Sequence, residues 1–117
     1  MGKLTTHVLD TMSGLPGAEI KVELFRQQGE HYEHIQTVTT NGDGRTDSPI
    51  LEDAAFQAGK YQLVFYVADY FRQQGVTLDE VPFLDDVVIR FGLNDEQAHY
   101  HVPLLVSPYS FSTYRGS

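Results

Sequence analysis

The feature that most constrains the fold is a short segment in which apolar and charged residues alternate. Residues 19–26, EIKVELFR, place Ile20, Val22 and Leu24 at every second position, with Glu or Lys between them. Successive side chains of a β-strand point to opposite faces, so this period of two puts the three apolar side chains on one face. The segment therefore predicts a strand that buries one face against a core.

Several other segments have strand character, because they are rich in β-branched and aromatic residues and are separated by Gly, Pro, Asn and Asp. They span residues 4–10, 32–40, 60–67, 86–93, 98–106 and 110–115, with room for a short strand at 45–47. In the segment 98–106, Pro103 predicts an edge position or a bulge, because proline cannot donate a ladder hydrogen bond.

One segment, ADYFRQQG at residues 68–75, is a helix candidate. Asp69 is predicted to cap its first turn and Gly75 to end it. Together these elements predict an all-β fold, a two-sheet antiparallel β-sandwich of seven to eight strands with one short helix.

Length and charge narrow the class of protein further. A chain of 117 residues fits a single domain over residues 1–117. Its net charge of −8 disfavours nucleic acid and anionic membranes as partners, and an anionic small molecule would need a local positive site. The absence of cysteine excludes thiol chemistry. With no apolar leader or membrane-spanning run in the sequence, we expect a cytoplasmic protein.

The final nineteen residues, His99 to Ser117, differ from an ordinary terminus. They hold no acidic side chain in an acidic chain, and they are rich in Ser, Thr and Tyr. Terminal segments are usually polar and loosely held. We therefore predict that this tail is buried and takes part in function.

Five histidines are candidates for chemistry. His31 and His34 lie in a polar segment beside glutamates and are predicted to be surface groups. His99 and His101 share one strand face, a spacing that can bind zinc if a third ligand arrives, but no such ligand is evident nearby. His7, taken alone, is more typical of a hydrogen-bonded core histidine than of a catalyst.

The segment Asn41-Gly42-Asp43-Gly44 is a strong turn signal, which places Arg45 at the edge of a loop. It resembles part of a calcium loop but lacks the remaining spaced oxygen ligands. Residue patterns alone thus indicate an acidic β-sandwich with unusually placed histidines and arginines. They do not name a reaction.

Four stretches, read together, resemble the transthyretin-like family: LTTHVLDTMSGLPGAEIKVEL, TTNGDGRTDSPI, HYHVPLLVSP and STYRGS. The resemblance runs from Leu4 to Ser117. It implies a two-sheet sandwich assembled as a homotetramer, with active sites at the interface between dimers. It also implies hydrolysis of 5-hydroxyisourate to 2-oxo-4-hydroxy-4-carboxy-5-ureidoimidazoline in urate degradation, with neither a cofactor nor a metal.

The resemblance assigns the site residue by residue. His7, Arg45, His101 and Ser117 match the catalytic positions, and the substrate-binding positions match His7, Arg45, Tyr114, Arg115 and Gly116. Imidazoles with a pKa near neutrality can give and take protons, and a guanidinium can hold the oxygens of a flat anionic ring. Which histidine is the base, and whether Ser117 acts through its hydroxyl or its carboxylate, stays open.

Two other functions compete with the hydrolase. One is a non-catalytic transthyretin-like sandwich that carries small aromatic ligands and from which the His, Arg, His and YRGS set has been lost. The other is an adhesive or structural β-sandwich module, which would leave the YRGS tail unexplained.

Overall fold

The computed structural model describes residues 1–116, which form nine strands, one α-helix and one turn of 3-10 helix. Two of the strands have only two residues. The strands are β1 Lys3–Asp10, β2 Leu15–Pro16, β3 Lys21–Gln28, β4 His31–Thr39, β5 Leu51–Glu52, β6 Gly59–Phe65, β7 Val87–Leu93, β8 His99–Val106 and β9 Phe111–Thr113. The 3-10 turn is Asp53–Ala55, and the helix α1 is Val67–Gln73.

The first sheet has the order β2-β1-β8-β9, and β5 pairs with one end of β1. Its central pair, β1 and β8, is parallel and runs in unbroken register from Lys3 opposite His99 to Asp10 opposite Val106. The other pairs of this sheet are antiparallel. Because β8 lies between β1 and β9, the prediction of an edge position for Pro103 was wrong.

The second sheet has the order β4-β3-β6-β7 and is antiparallel throughout. The alternation of residues 19–26 is confirmed, since Ile20, Val22 and Leu24 are all buried. The inward faces of the two sheets share one apolar core. The first sheet contributes Leu4, Val8 and Leu104, and the second contributes Val22, Leu63 and Phe65.

The helix α1 packs on this core through Val67 and Phe71. Its N-cap is Tyr66 and makes no side-chain capping bond, so the prediction that Asp69 caps the helix was wrong. Gly75 follows the helix with a positive φ of 83°, as expected for a residue that ends one.

A buried carboxylate ties the helix to the first sheet. Asp10, at the end of β1, is 3% exposed and accepts a hydrogen bond of 2.8 Å from the Tyr70 hydroxyl. Its other oxygen accepts bonds from the backbone N–H groups of Met12 and Ser13, so the carboxylate also orders the turn after β1.

The predicted fold class, a two-sheet β-sandwich with one short helix, is confirmed. The parallel pairing of β1 with β8 is the feature that an antiparallel sandwich does not include. Within residues 1–116, no helix is long and apolar enough to cross a membrane.

Candidate active site

A row of polar side chains lies on the outward face of the first sheet. In β1 the side chains of Leu4, Thr6 and Val8 point into the core, so the alternate residues Thr5 and His7 point outward. In β8 the same alternation buries Tyr100 and Val102 and turns His99 and His101 outward. The parallel register places His101 opposite Thr5 and His99 opposite Lys3, so β1 and β8 together form one outward polar surface.

Arg45 reaches this surface through the predicted turn at residues 41–44. The Asn41 side-chain oxygen accepts hydrogen bonds from the backbone N–H groups of Asp43 and Arg45, at 2.9 and 3.2 Å. Gly44 then adopts a positive φ of 75°, and its carbonyl accepts a bond of 2.8 Å from the Val8 N–H. This contact brings Arg45 into an isolated β-bridge with His7.

Beside the bridge lies an open pocket of about 410 Å³. The residues that line it come from β1, from β8 and from the loop after the turn: Lys3, Thr5, Thr6, Arg45, Thr46, Asp47, Ser48, Pro49, His99 and His101. Among the described residues that line it, Lys3 and Arg45 are the cations and Asp47 is the one carboxylate. A chain of net charge −8 thus has a local positive site. An anionic small molecule needs such a site to bind to an acidic protein.

Three histidines at the site have lowered pKa values. Burial and the Arg45 guanidinium lower the pKa of His7, while Asp43 acts in the opposite direction. Burial lowers the pKa of His101, with smaller effects from Arg45, His99 and His7. Burial and then Lys3 lower the pKa of His99. At neutral pH the imidazoles are therefore neutral and able to accept protons.

A threonine hydroxyl connects two of these imidazoles. Thr5 Oγ1 lies 2.8 Å from His99 Nε2 and 2.8 Å from His101 Nδ1. With Nδ1 occupied in this way, Nε2 of His101 is the ring nitrogen left for a molecule in the pocket.

The backbone of the tail contacts the same histidine. Gly116 forms an isolated bridge with His101, and its N–H donates a bond of 2.7 Å to the His101 carbonyl. A Cβ on Gly116 would lie 2.7 Å from His101 Cδ2, so any side chain there would displace the ring. Gly116 and His101, both assigned to the site from the sequence, therefore lie next to each other in the structure. Ser117 lies outside the described residues.

Tyr114 and Arg115 face a different hollow within this chain. That hollow, of about 230 Å³, lies against β7 and includes Phe91 and Val102. The Arg115 guanidinium carbon lies 4.0 Å above the ring of Tyr100, and the Tyr114 side chain is 60% exposed. Of the residues assigned from sequence, His7, Arg45, His101 and the Gly116 backbone meet in one place, whereas Tyr114 and Arg115 do not join them in the single chain.

The structure adds pocket residues that sequence reasoning missed, among them Lys3, Thr5 and Ser48. Thr5 carried a usable signal, because it lies two positions before His7 and hence on the same face of a predicted strand. Lys3 has the same spacing from Thr5. Ser48 carried none, since loop residues have no periodicity.

The chemistry open to the site is acid-base catalysis beside the guanidinium of Arg45. Neutral imidazoles can deprotonate water, and Arg45 can stabilise a developing oxyanion. No three His, Cys, Asp or Glu side chains are grouped to hold a metal ion anywhere in residues 1–116.

The fold and site define a small transthyretin-like β-sandwich with imidazoles and a guanidinium beside an outward pocket. Residues 4–116 match the family described as the HIUase/Transthyretin family. The chain belongs to this family.

Similar proteins are found both among curated sequences and among solved structures. A 5-hydroxyisourate hydrolase of Pseudomonas aeruginosa is 58% identical over 117 residues, which cover 100% of this chain and 93% of that protein. The structure of Klebsiella pneumoniae 5-hydroxyisourate hydrolase has a TM-score of 0.82 and 31% identity, with 100% of both chains covered. The crystal structure of an (S)-allantoin synthase has a TM-score of 0.93 and 44% identity. This chain is covered to 99% in that comparison but spans only 44% of the synthase chain.

Proposed function

We propose that this protein is an enzyme that hydrolyses 5-hydroxyisourate to 2-oxo-4-hydroxy-4-carboxy-5-ureidoimidazoline. The observation that carries the proposal is the convergence of His7, Arg45 and His101, which come from three distant parts of the sequence, on one outward surface. The 58% identity to the Pseudomonas aeruginosa hydrolase supports the same reaction over the full length of the chain.

In the proposed mechanism, an imidazole of His101 or His7 removes a proton from water, and the water oxygen attacks the cyclic acyl carbon. The carbon–nitrogen bond of the six-membered ring then breaks, and the protonated imidazole returns the proton to the leaving nitrogen. Arg45 binds the anionic ring and stabilises the oxyanion that forms during attack. The lowered pKa values of both histidines keep them in the basic form at neutral pH.

The other residues assigned from the sequence would reach a site only when several copies of the chain assemble. We propose a homotetramer with its sites at the interface between dimers, so that the outward face with the pocket lies against a second copy. Tyr114 and Arg115, which lie away from the pocket of their own chain, would then contact substrate across the interface. Gly116 would place the end of the tail beside His101, and Ser117 would orient water or an imidazole.

Other parts of the proposal concern the whole chain. The apolar core draws on both sheets and the helix, which supports the prediction of a single domain over residues 1–117. The cytoplasmic location stays a prediction.

The family includes transthyretins as well as hydrolases, so the fold alone does not separate the enzyme from a non-catalytic carrier. The residues that line the pocket distinguish the two functions. A carrier of aromatic ligands needs an apolar pocket, whereas this pocket has two cations and two histidines. We therefore favour the enzyme.

The test is to add purified protein to 5-hydroxyisourate freshly generated by urate oxidase and to follow its ultraviolet absorbance against the spontaneous decay. We expect acceleration by the wild type, and a loss of about 10² to 10⁴-fold in His101→Asn, the range typical of removing a general base. His31→Asn is the matched control, since His31 is exposed and lies in β4, outside the pocket.

Absence of acceleration by the wild type would refute the hydrolase. Equal rates in the wild type and His101→Asn would keep the activity but refute the role of His101.

A further inference from the structure

The contacts of Thr5 constrain the protons of two histidines at once. Its hydroxyl oxygen lies at hydrogen-bond distance from His99 Nε2 and from His101 Nδ1, 2.8 Å in each case. The parallel register sets Thr5 opposite His101, and His99 lies two residues earlier on the same face of β8, so the three groups meet on one surface.

A hydroxyl has one proton to donate, and it accepts through its oxygen. If both contacts are hydrogen bonds, the hydroxyl either donates to one imidazole and accepts from the other, or accepts from both. When both rings are neutral, there are two arrangements in which the Thr5 proton is donated to a ring. In the first, His101 Nδ1–H donates to Thr5, and Thr5 donates to His99 Nε2. In the second, His99 Nε2–H donates to Thr5, and Thr5 donates to His101 Nδ1.

We propose that Thr5 and His99 are positioning residues that set the tautomer of His101 and thereby its ability to act as a base. This inference rests on the proposed function, in which His101 Nε2 receives a proton from water. Of the two arrangements in which Thr5 donates to a ring, only the first leaves the lone pair of Nε2 free, because His101 then carries its single proton on Nδ1. It is also the arrangement that persists after Nε2 has been protonated.

The charge of His99 bears on this choice. A protonated His99 must donate from Nε2, so Thr5 can no longer donate to it. Thr5 then either accepts from both rings or donates to His101 Nδ1, and in the second case His101 holds its proton on Nε2 and is an acid rather than a base.

The surrounding charges keep His99 in the form that the first arrangement needs. Lys3 on β1 lies opposite His99 and opposes its protonation. Arg45 lines the same pocket and lowers the pKa of His101. Among the described residues of the pocket, Asp47 is the one carboxylate that would favour a charged His99. His7 lies beyond Thr5 on the same face of β1. These charges therefore favour the first arrangement of the relay formed by His99, Thr5 and His101, in which His99 is neutral and accepts a hydrogen bond from Thr5.

The test measures the tautomers directly, by nitrogen-15 NMR of the protein labelled in its histidines. For the wild type we expect a protonated Nδ1 and an unprotonated Nε2 in His101, and the same pattern in His99. Thr5→Val keeps the branched shape but removes the hydroxyl, so both patterns should shift towards the Nε2–H tautomer that free imidazole favours. Thr5→Ser keeps the hydroxyl and should restore the wild-type pattern.

Turnover provides a second readout. Outer partners that orient a functional histidine typically change activity by about 10 to 100-fold. We expect a loss of this size in kcat for Thr5→Val, with most of the rate restored in Thr5→Ser. His99→Phe should also lower kcat, and the double variant should lose no more than the greater of the two single losses, because both changes break one relay.

Two results would overturn the inference: an Nε2–H tautomer of His101 in the wild type, or unchanged nitrogen shifts in Thr5→Val. The NMR result stands apart from the activity. If the wild type fails to accelerate decay of 5-hydroxyisourate, the proposed function fails, while the coupling of the two tautomers is still decided by the spectra.

Discussion

Replacing Gly44 with alanine is expected to damage both stability and turnover, because this glycine holds the loop of Arg45 against β1. Its φ is +75°, in the left-handed region. A Cβ at this position would also collide with the carbonyl oxygen of Val8 and lie 3.2 Å from both Gly17 N and Pro16 Cβ. The backbone bond from Val8 N–H to the Gly44 carbonyl, 2.8 Å long, leaves little room for the loop to move away.

The magnitude follows from two contributions. A left-handed conformation costs an alanine about 1–2 kcal/mol, and forcing extra atoms into a packed place costs about 1–3 kcal/mol. Together these predict that Gly44→Ala lowers the free energy of unfolding by about 2–5 kcal/mol. Turnover should fall as well, because Arg45 follows directly in the chain and pairs with His7.

Two other glycines separate the contributions. Gly14 and Gly29 also have positive φ, 78° and 64°, but a Cβ on either would meet nothing within 4 Å. Gly14→Ala and Gly29→Ala should therefore lose only the backbone part, about 1–2 kcal/mol, and should keep wild-type turnover. Urea unfolding at equal protein concentration measures the first quantity, since the proposed assembly would make stability depend on concentration.

The reasoning would be refuted if Gly44→Ala were no less stable than Gly14→Ala. The collision with Val8 would then be relieved at no cost, and the loop would not be fixed to β1. Wild-type turnover in a destabilised Gly44→Ala would show instead that the position of Arg45 does not depend on this contact.

Two further predictions concern a buried hydrogen bond and the pH dependence. Tyr70→Phe should lower the free energy of unfolding by about 1.5–3 kcal/mol, the range for a bond to a charged partner, because it leaves one oxygen of the buried Asp10 unpaired; an unchanged urea midpoint would contradict this. In a pH series, activity should persist below pH 6.5, the ordinary histidine pKa, and fall only as the pH drops through the lowered pKa values of His7 and His101. Stability should begin to fall at higher pH than activity, near 6.5, because the unfolded histidines take up protons there while the folded ones do not. An activity midpoint at or above 6.5 would count against the lowered pKa values.

Strand β3 of the second sheet was readily predicted from the sequence because one of its faces meets the core. The buried side chains of Ile20, directly before β3, and of Val22 and Leu24 within it repeat at a period of two, and that period is a local property of the chain. The start of the helix was less predictable. Asp69 has the right chemistry for a cap, but the helix already begins at Val67, where the core holds the apolar side chain.

The parallel pairing of β1 with β8 could not be predicted in the same way, because it joins residues far apart in the chain. Thr5 and His101, for example, are 96 positions apart. Pro103 suggested an edge position, yet β8 is central, and Pro103 lies between the β9 pairing, which begins at Leu104, and the bridge of Gly116 to His101. Neither β9 nor Gly116 pairs with Pro103, so this side of β8 accommodates the missing N–H donor, while the register with β1 continues through His7.

Only part of the candidate site could be predicted, because its residues also come from distant parts of the chain. His7, Arg45 and His101 came from resemblance, whereas their residue types alone favoured a core histidine and a surface arginine. The polar surface that joins them depends on which residue of β8 stands opposite each residue of β1. Thr5 was missed because its partner in β8 was not known.

The core of the first sheet determines this pairing. Side chains alternate along a strand, so a slip of one residue in β8 would turn His101 inward and Val102 outward. Val102 and Leu104 are buried from β8, as Leu4 and Val8 are from β1. Losing that burial would cost about 1.5–3 kcal/mol for each large apolar side chain. The apolar residues that contact no substrate therefore hold Thr5 opposite His101, and the geometry proposed for proton transfer follows from the packing on the other face of the same strands.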